Sequence, residues 1–255
     1  MLQNLRQFFE SRTLRKYRLP DALWDETLSY LPFLAKWPND NLQRLRALST
    51  LFLVEKNIIS GHDSLVVSPL MRTLIAAQAC TLVVNKSLAE YEGFRSIVVH
   101  PDSFVPSQDY IDEAGVVHEG GEPIAGETSE DGPILLSWPD VWESTDFESS
   151  GMNLVVHEFA HKLDMQNGHA NGIPPLSTRA EHERWSRALK DAFTDFCRRV
   201  DSGEETHIDS YASEHESEFF AVCAEVYVAS PDLLLATYPD FYRELNSYFK
   251  LWNDS

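Results

Sequence analysis

Apolar residues recur at helical spacing along most of the chain. Leucine, tryptophan and phenylalanine side chains three and four residues apart predict helices over Asp21–Ala35 and Asp40–Glu55. A third helix is predicted over Ser68–Asn85, where Ser68-Pro69 supplies a capping residue followed by a proline in the first turn. Further helices are predicted over residues 147–167, Ser177–Val200, Ser213–Ala229, a short segment from Ser230-Pro231, and Asp240–Trp252.

The hydrophobic pattern changes between Gly93 and Trp138. Short segments typical of β-strands lie here, at Ser96–His100, Val116–His118 and Ile134–Trp138. The stretch Gly115–Gly132 is rich in Gly, Glu and Asp and suits hairpins or a loop beside a ligand. We therefore expect an α+β fold, mostly helical, with a small β-sheet preceding the helix at 147–167. One domain is expected over residues 1–255, with residues 1–90 as a helical portion packed on the core.

Composition and charge exclude several classes of protein. Hydrophobic residues make up 43% and charged residues 24%, as in ordinary globular proteins. The 40 acidic against 21 basic side chains give a net charge of −19, which repels nucleic-acid phosphates and anionic lipids. No apolar stretch is long enough to span a bilayer, and the three cysteines form no CxxC pair. We expect buried thiols and a cytoplasmic protein that binds neither nucleic acid nor membrane.

Residues 1–19 are basic and amphipathic, unlike the rest of the chain. This composition suits either a loosely docked helix or a helix that seeks a surface, and the acidity of the remaining chain favours the first.

The candidate chemistry lies in the sequence His157-Glu-Phe-Ala-His161. Residues four apart lie one turn above each other on a helix, so His157 and His161 can present two ring nitrogens to one zinc ion. Glu158 is poorly placed to bind the same ion but can reach a water molecule beside it. Because the flanking residues are apolar, two histidines here without a metal would be poorly satisfied polar groups.

A catalytic zinc site needs a third protein ligand, and several candidates lie downstream. His169 fails the HExxHxxGxxH pattern, since Asp164 and Asn167 stand where glycine and histidine are required. His182 and His207 lie among charged or turn-forming residues and are expected to be solvated. Glu218 and Glu225 enter an otherwise apolar helix, where a carboxylate is costly unless paired or metal-bound. Spacing alone ranks Glu218 ahead of Glu225 and leaves both open.

Several motifs together resemble the Mlc titration factor A family, bacterial zinc metallopeptidases whose catalytic core is similar to that of anthrax lethal factor protease. The resemblance rests on His157–Met165, Asp209-Ser-Tyr211-Ala and Glu218-Phe-Phe-Ala-Val, and it extends over about residues 20–240. It implies a zincin-like fold, one zinc ion per chain held by His157, His161 and Glu218, and Glu158 as the catalytic base. It also implies that Tyr211 faces the metal, although a loop tyrosine is more often an anchoring aromatic.

Two roles remain for the acidic residues around this motif. Glu225 is expected to lie behind the ligands and orient a histidine. Asp164 has either a similar role or a surface or capping role.

Two functions compete at this point. The first is peptide-bond hydrolysis, aminopeptidase-like by resemblance, with Tyr211 stabilising the oxyanion and Ile134–Trp138 as either an edge strand that pairs with a peptide or an ordinary core strand. The second is binding without catalysis, in which the acidic surface titrates a Mlc-like transcriptional repressor.

Overall fold

The computed structural model of the protein describes residues 10–103, 110–111, 117–118, 126–128 and 132–252. Residues 1–9 of the predicted amphipathic segment, and most of the Gly115–Gly132 stretch, lie outside the described residues. Residues 10–16 are helical.

Helices form most of the described chain, as the hydrophobic pattern predicts. They are α1 (Asp21–Ser29), α2 (Asn39–Glu55), α3 (Pro69–Ala79), α4 (Trp138–Glu143), α5 (Phe147–Ser150), α6 (Leu154–Asp164), α7 (Arg179–Asp201), α8 (Glu216–Ala229), α9 (Pro231–Thr237) and α10 (Pro239–Phe249). Short 3-10 turns at Pro32–Lys36, Leu88–Tyr91, Met165–Asn167 and Ser210–Ser213 connect some of them. None of the helices in the described part of the chain is both long and apolar enough to cross a membrane.

Local backbone chemistry shortens several predicted helices. α3 ends at Ala79 instead of Asn85. The segment predicted as one helix over 147–167 is broken, because Gly151 adopts a left-handed conformation with φ of 74° and ends α5. The side chain of Asn153 then accepts a hydrogen bond from Val156 N and starts α6. This break sets where the metal-motif helix begins.

The helix predicted from Ser213 begins at Glu216, and Ser213 and Glu216 do not form a capping box there. Ser213 belongs to the preceding 3-10 turn, and the residue that caps α8 is His215, whose side chain accepts from Ser217 N. A capping box is found instead at α7, where Thr178 and Glu181 satisfy each other's backbone N–H groups.

Four strands form a small mixed sheet, and two more form a separate hairpin. In the main sheet the order is β1 (Asn57–Ser60), β2 (Ser96–His100), β6 (Ile134–Ser137) and β5 (Gly126–Thr128). β1, β2 and β6 are parallel, and β5 runs antiparallel to β6, with Glu127 opposite Leu135. β3 (Tyr110–Ile111) pairs antiparallel with β4 (Val117–His118). The mostly helical chain with its small sheet confirms the α+β prediction.

The possibility that Ile134–Trp138 forms an edge strand is wrong. β6 lies between β2 and β5, and Ile134 and Leu136 are fully buried, so it is a core strand. Trp138 already begins α4. In the described sheet β5 is the outermost strand on this side, and it packs against α6.

Buried apolar side chains from both ends of the chain belong to one hydrophobic cluster that runs from Leu19 to Leu251. Phe159 of α6 lies in its centre, with its ring 4.9 Å from that of Tyr91 and 5.7 Å from that of Phe52. All three cysteines are free thiols; Cys80 and Cys223 are buried and Cys197 is partly buried.

The loop that follows α6 is anchored by Asp164. Its carboxylate accepts hydrogen bonds from the backbone N–H groups of Asn171, Gly172 and Ile173, at 2.6–2.9 Å. Asp164 is fully buried, which contradicts a surface role, and it caps no helix, because these hydrogen bonds go to a loop. Gly172 in turn has φ of 77° and packs so closely on α8 that an added Cβ would lie 2.6 Å from Glu216 O. This contact fixes how closely the end of α6 approaches the start of α8.

Gly172→Ala is expected to lower the free energy of unfolding by about 3 kcal/mol or more, because a left-handed alanine and a backbone clash are combined. Gly203→Ala is the matched control, since Gly203 also has positive φ (70°) but an added Cβ would have no heavy atom within 4 Å. The control should lose about 1–2 kcal/mol. Urea unfolding of both variants measures the difference, and equal losses would show that the contact with α8 does not matter.

Candidate metal centre

Two adjacent helices bring the predicted ligands together. α6 and α8 pack directly against each other, and His157, His161 and Glu218 face one another across their interface. His157 Nε2 lies 3.1 Å from His161 Nε2 and 3.1 Å from Glu218 Oε2. His161 Nε2 lies 3.4 Å from Glu218 Oε1. Donor atoms of three residues, the outer two of which are 61 positions apart along the chain, therefore converge on one point.

The spacing of these atoms fits a single metal ion. Ligand atoms at about 2.0–2.2 Å from one tetrahedral ion lie about 3.3–3.6 Å from each other. The observed separations are close to this range. Among the described residues, this is the one group of three or more His, Cys, Asp or Glu side chains whose donor atoms lie within 4.8 Å of one another. The site can hold a metal ion.

The electrostatics of the group favour a negative Glu218. Burial alone would raise the pKa of Glu218, but His161 and His157 lower it well below its ordinary value. For His157, burial opposes protonation, and Glu218 and Glu225 together raise its pKa well above the usual value. The carboxylate thus stays charged in an otherwise apolar interface, where a cation stabilises it.

Glu225 lies behind the group and does not join it. It is 3% exposed, and its Oε1 is 2.8 Å from His157 Nδ1. A carboxylate on Nδ1 orients the ring so that Nε2 points at the other ligands. The two glutamates that spacing left open thus differ in position: Glu218 faces both Nε2 atoms, while Glu225 contacts the opposite nitrogen of one ring.

A buried polar chain extends from Glu225 to α3. The backbone N–H of Asn153 donates to Glu225 Oε2, and the Asn153 side chain donates to Gln78 Oε1 at 2.8 Å. Gln78 donates in turn to Leu74 O. Sequence reasoning missed both residues. The available signals were an asparagine directly before an apolar helix and one glutamine inside the apolar stretch of α3.

Glu158 is buried beside the centre, 5% exposed, and burial raises the pKa of its carboxyl above the ordinary value. It lies against β5, where a Cβ added at Gly126 would come within 2.3 Å of Glu158 Oε1. Nothing in the sequence distinguished Gly126 from the other glycines of its stretch. A side chain at position 126 would require the Glu158 carboxylate to move from this position.

Tyr211 lies at the open side of the centre. It sits in the 3-10 turn before α8, held by a 2.9 Å hydrogen bond from its backbone N–H to Asp209 Oδ1. Its ring is 6.1 Å from that of His157, centroid to centroid, and 46% of its surface is exposed. A cavity of about 320 Å³ opens between Tyr211, His157 and Glu158.

The other candidate histidines lie away from this centre. His169, His182 and His207 are exposed, and none belongs to the metal-binding group.

The chain is similar to known proteins over most of its length. Mlc titration factor A of Yersinia pestis (strain Pestoides F) is 34% identical over 232 residues, which cover 90% of this chain and 84% of the relative. Mlc titration factor A of Yersinia pseudotuberculosis serotype O:3 (strain YPIII) matches with the same identity and coverage. A family model described as glucose-regulated metallo-peptidase M90 matches residues 5–250. The chain therefore belongs to the M90 family of glucose-regulated metallo-peptidases.

Proposed function

We propose that this protein is a zinc-dependent peptidase of zincin-like architecture, aminopeptidase-like in its action. The observation that carries the proposal is the convergence of His157, His161 and Glu218 at 3.1–3.4 Å, with a buried glutamate beside them and a cavity in front. Membership of a metallo-peptidase family supports the reaction class. Apolar side chains from both ends of the described chain belong to one hydrophobic cluster. This supports our proposal of one domain over residues 1–255, with residues 1–90 packed on the core.

His157, His161 and Glu218 would hold one zinc ion per chain. Zinc bound there supplies Lewis acidity, which polarises a carbonyl and lowers the pKa of a water molecule toward about 7. Two histidines and one glutamate are a donor set found in catalytic zinc sites, which keep a fourth position open. The open side at Tyr211 suits this requirement.

The other side chains have separate tasks in hydrolysis. Glu158 takes the proton from the attacking water and delivers it to the leaving amine, as general base and then general acid. Tyr211 donates its hydroxyl to the oxyanion that develops on the scissile carbonyl. Glu225, held by Asn153, keeps His157 oriented. β5 lies beside Glu158 and is the outermost strand of the sheet on this side among the described residues, so it offers backbone groups with which an extended peptide can pair.

Glu158→Gln should reduce kcat for peptide cleavage by about 10²–10⁴-fold, because the amide cannot accept the proton. Glu183→Gln is the control. Glu183 is an exposed residue of α7 that pairs with Arg179 and does not belong to the group that could hold a metal. Cleavage of a panel of amino-acid anilides and short peptides measures both variants. Wild-type rates in Glu158→Gln would remove this mechanism.

Glu218→Ala should lose the metal, because one of the three ligands is gone. Elemental analysis of the purified protein is expected to find about one zinc per chain in the wild type and far less in the variant. Glu216→Ala, two residues earlier on the same helix, should keep the wild-type content. Equal zinc in both variants would contradict the proposed ligand set.

A second candidate function is capture of a transcriptional repressor. Its support is the name of the relatives, Mlc titration factor A, together with the net charge of −19, which favours a basic partner surface. Such binding does not exclude hydrolysis, since the acidic surface extends beyond the cavity.

Co-elution with a purified Mlc-like repressor at low and high salt tests this second function. An interaction driven by charge should be strong at low salt and weaken as salt rises. An unchanged elution volume at low salt would count against it.

A further inference from the structure

The cavity beside the metal centre is built from the same two helices that supply the ligands. Leu154 precedes His157 by three residues on α6, and Val222 follows Glu218 by four on α8, so each lies on the same helix face as its ligand. Both line the cavity and are 4% exposed. Their distance from the metal centre is therefore fixed by the helices themselves.

The cavity lining combines apolar side chains with the polar groups of the metal centre. Met152 contributes a partly buried, flexible side chain. Gly126 and Gly151 line it without side chains of their own. At about 320 Å³ the cavity is at the lower end of the range for small-molecule pockets, about 300–1,000 Å³. This is space for one residue of a substrate, not for a folded segment.

Charge makes the cavity unfavourable for acidic groups. Glu158, Glu225 and Asp209 line it, and no lysine or arginine does among the described residues. Glu225 is already bonded to His157 and Asn153, whereas Asp209 is exposed at the mouth. Away from the metal centre, an entering carboxylate would face like charges and meet no lysine or arginine side chain among the described residues.

We propose that this cavity is the specificity pocket of the enzyme. It receives the side chain of a substrate residue that flanks the scissile bond, accepts an uncharged apolar group, and rejects an acidic one. Val222 and Leu154 set its depth. The inference rests on the proposed peptidase function and adds the class of substrate that the site selects. Hydrophobic pockets discriminate by about 10–200-fold per methylene group, so small changes in Val222 should be measurable.

The test uses peptides that vary only at the two positions flanking the scissile bond, with cleavage followed by mass spectrometry. Val222→Ala removes two methyl groups and should raise the ratio of kcat/KM for phenylalanine over alanine peptides by about tenfold. Val222→Ile adds one carbon and should lower the same ratio. Opposite shifts from two substitutions at one position cannot come from a general loss of stability.

Val228→Ala is the matched control. Val228 is a buried valine on the same helix, about 120° around it from Val222, and it does not line the cavity. It should leave the phenylalanine-to-alanine ratio at the wild-type value.

Binding measured without turnover gives an independent readout. With the wild-type protein and peptides whose scissile amide is replaced by a non-cleavable bond, calorimetry should show that a peptide with glutamine at the pocket position binds at least tenfold more tightly than its glutamate counterpart. Equal or tighter binding of the glutamate peptide would overturn the proposal that this cavity is a specificity pocket.

The outcomes separate this inference from the proposed function. Wild type, Val222→Ala and Val222→Ile could all cleave peptides with the same relative kcat/KM for different side chains. That result would overturn the proposed specificity pocket but not the proposed peptidase function. No cleavage and no binding of any peptide would overturn the peptidase itself, and the pocket with it.

Discussion

The close approach of α6 to α8 is the constraint on which the rest of the site depends. It places two imidazoles and a carboxylate within 3.1–3.4 Å of one another inside an apolar interface. Polar groups buried in this way are costly unless their charges are compensated. The neighbouring packing therefore holds two helix faces at one separation, at which the three donor atoms can share one ion.

Contacts at both ends of α6 maintain that separation. At its start, Asn153 caps the helix, and its own N–H holds the Glu225 carboxylate that orients His157. At its end, Asp164 accepts three backbone hydrogen bonds from the loop that carries Gly172 onto α8. Buried networks of this kind act as units, since each unsatisfied member would carry a desolvation penalty. The metal centre is thus fixed by hydrogen bonds that begin well outside it.

Two glycines, Gly126 and Gly151, line the cavity beside the group that could hold a metal. Gly126 leaves space for the Glu158 carboxylate between α6 and β5, and glycines at two edges keep the cavity open. The apolar part of the cavity wall comes from residues one turn away from His157 and Glu218, so the cavity wall, Glu158 and the group that could hold a metal share one frame. A change in the register of either helix would move all three together.

The sequence by itself determined the family, the α+β class and the main helices, and it named the three residues whose donor atoms the structure brings together. These features follow from local patterns in the sequence. A spacing of four residues places His157 and His161 on one helix face, and a helical apolar period predicts a helix with one buried face, whatever it packs against. The exact ends of the helices and strands, and the contacts between distant residues, could be read only from the tertiary structure. β6 became a core strand because β5 pairs outside it, and His215 capped α8 in place of Ser213. Whether Glu218 or Glu225 faces the Nε2 atoms of the two histidines depends on how α8 is rotated against α6. That rotation, like the contacts of Gly126, Asn153 and Gln78, is set by packing between residues far apart along the chain, which no local pattern encodes.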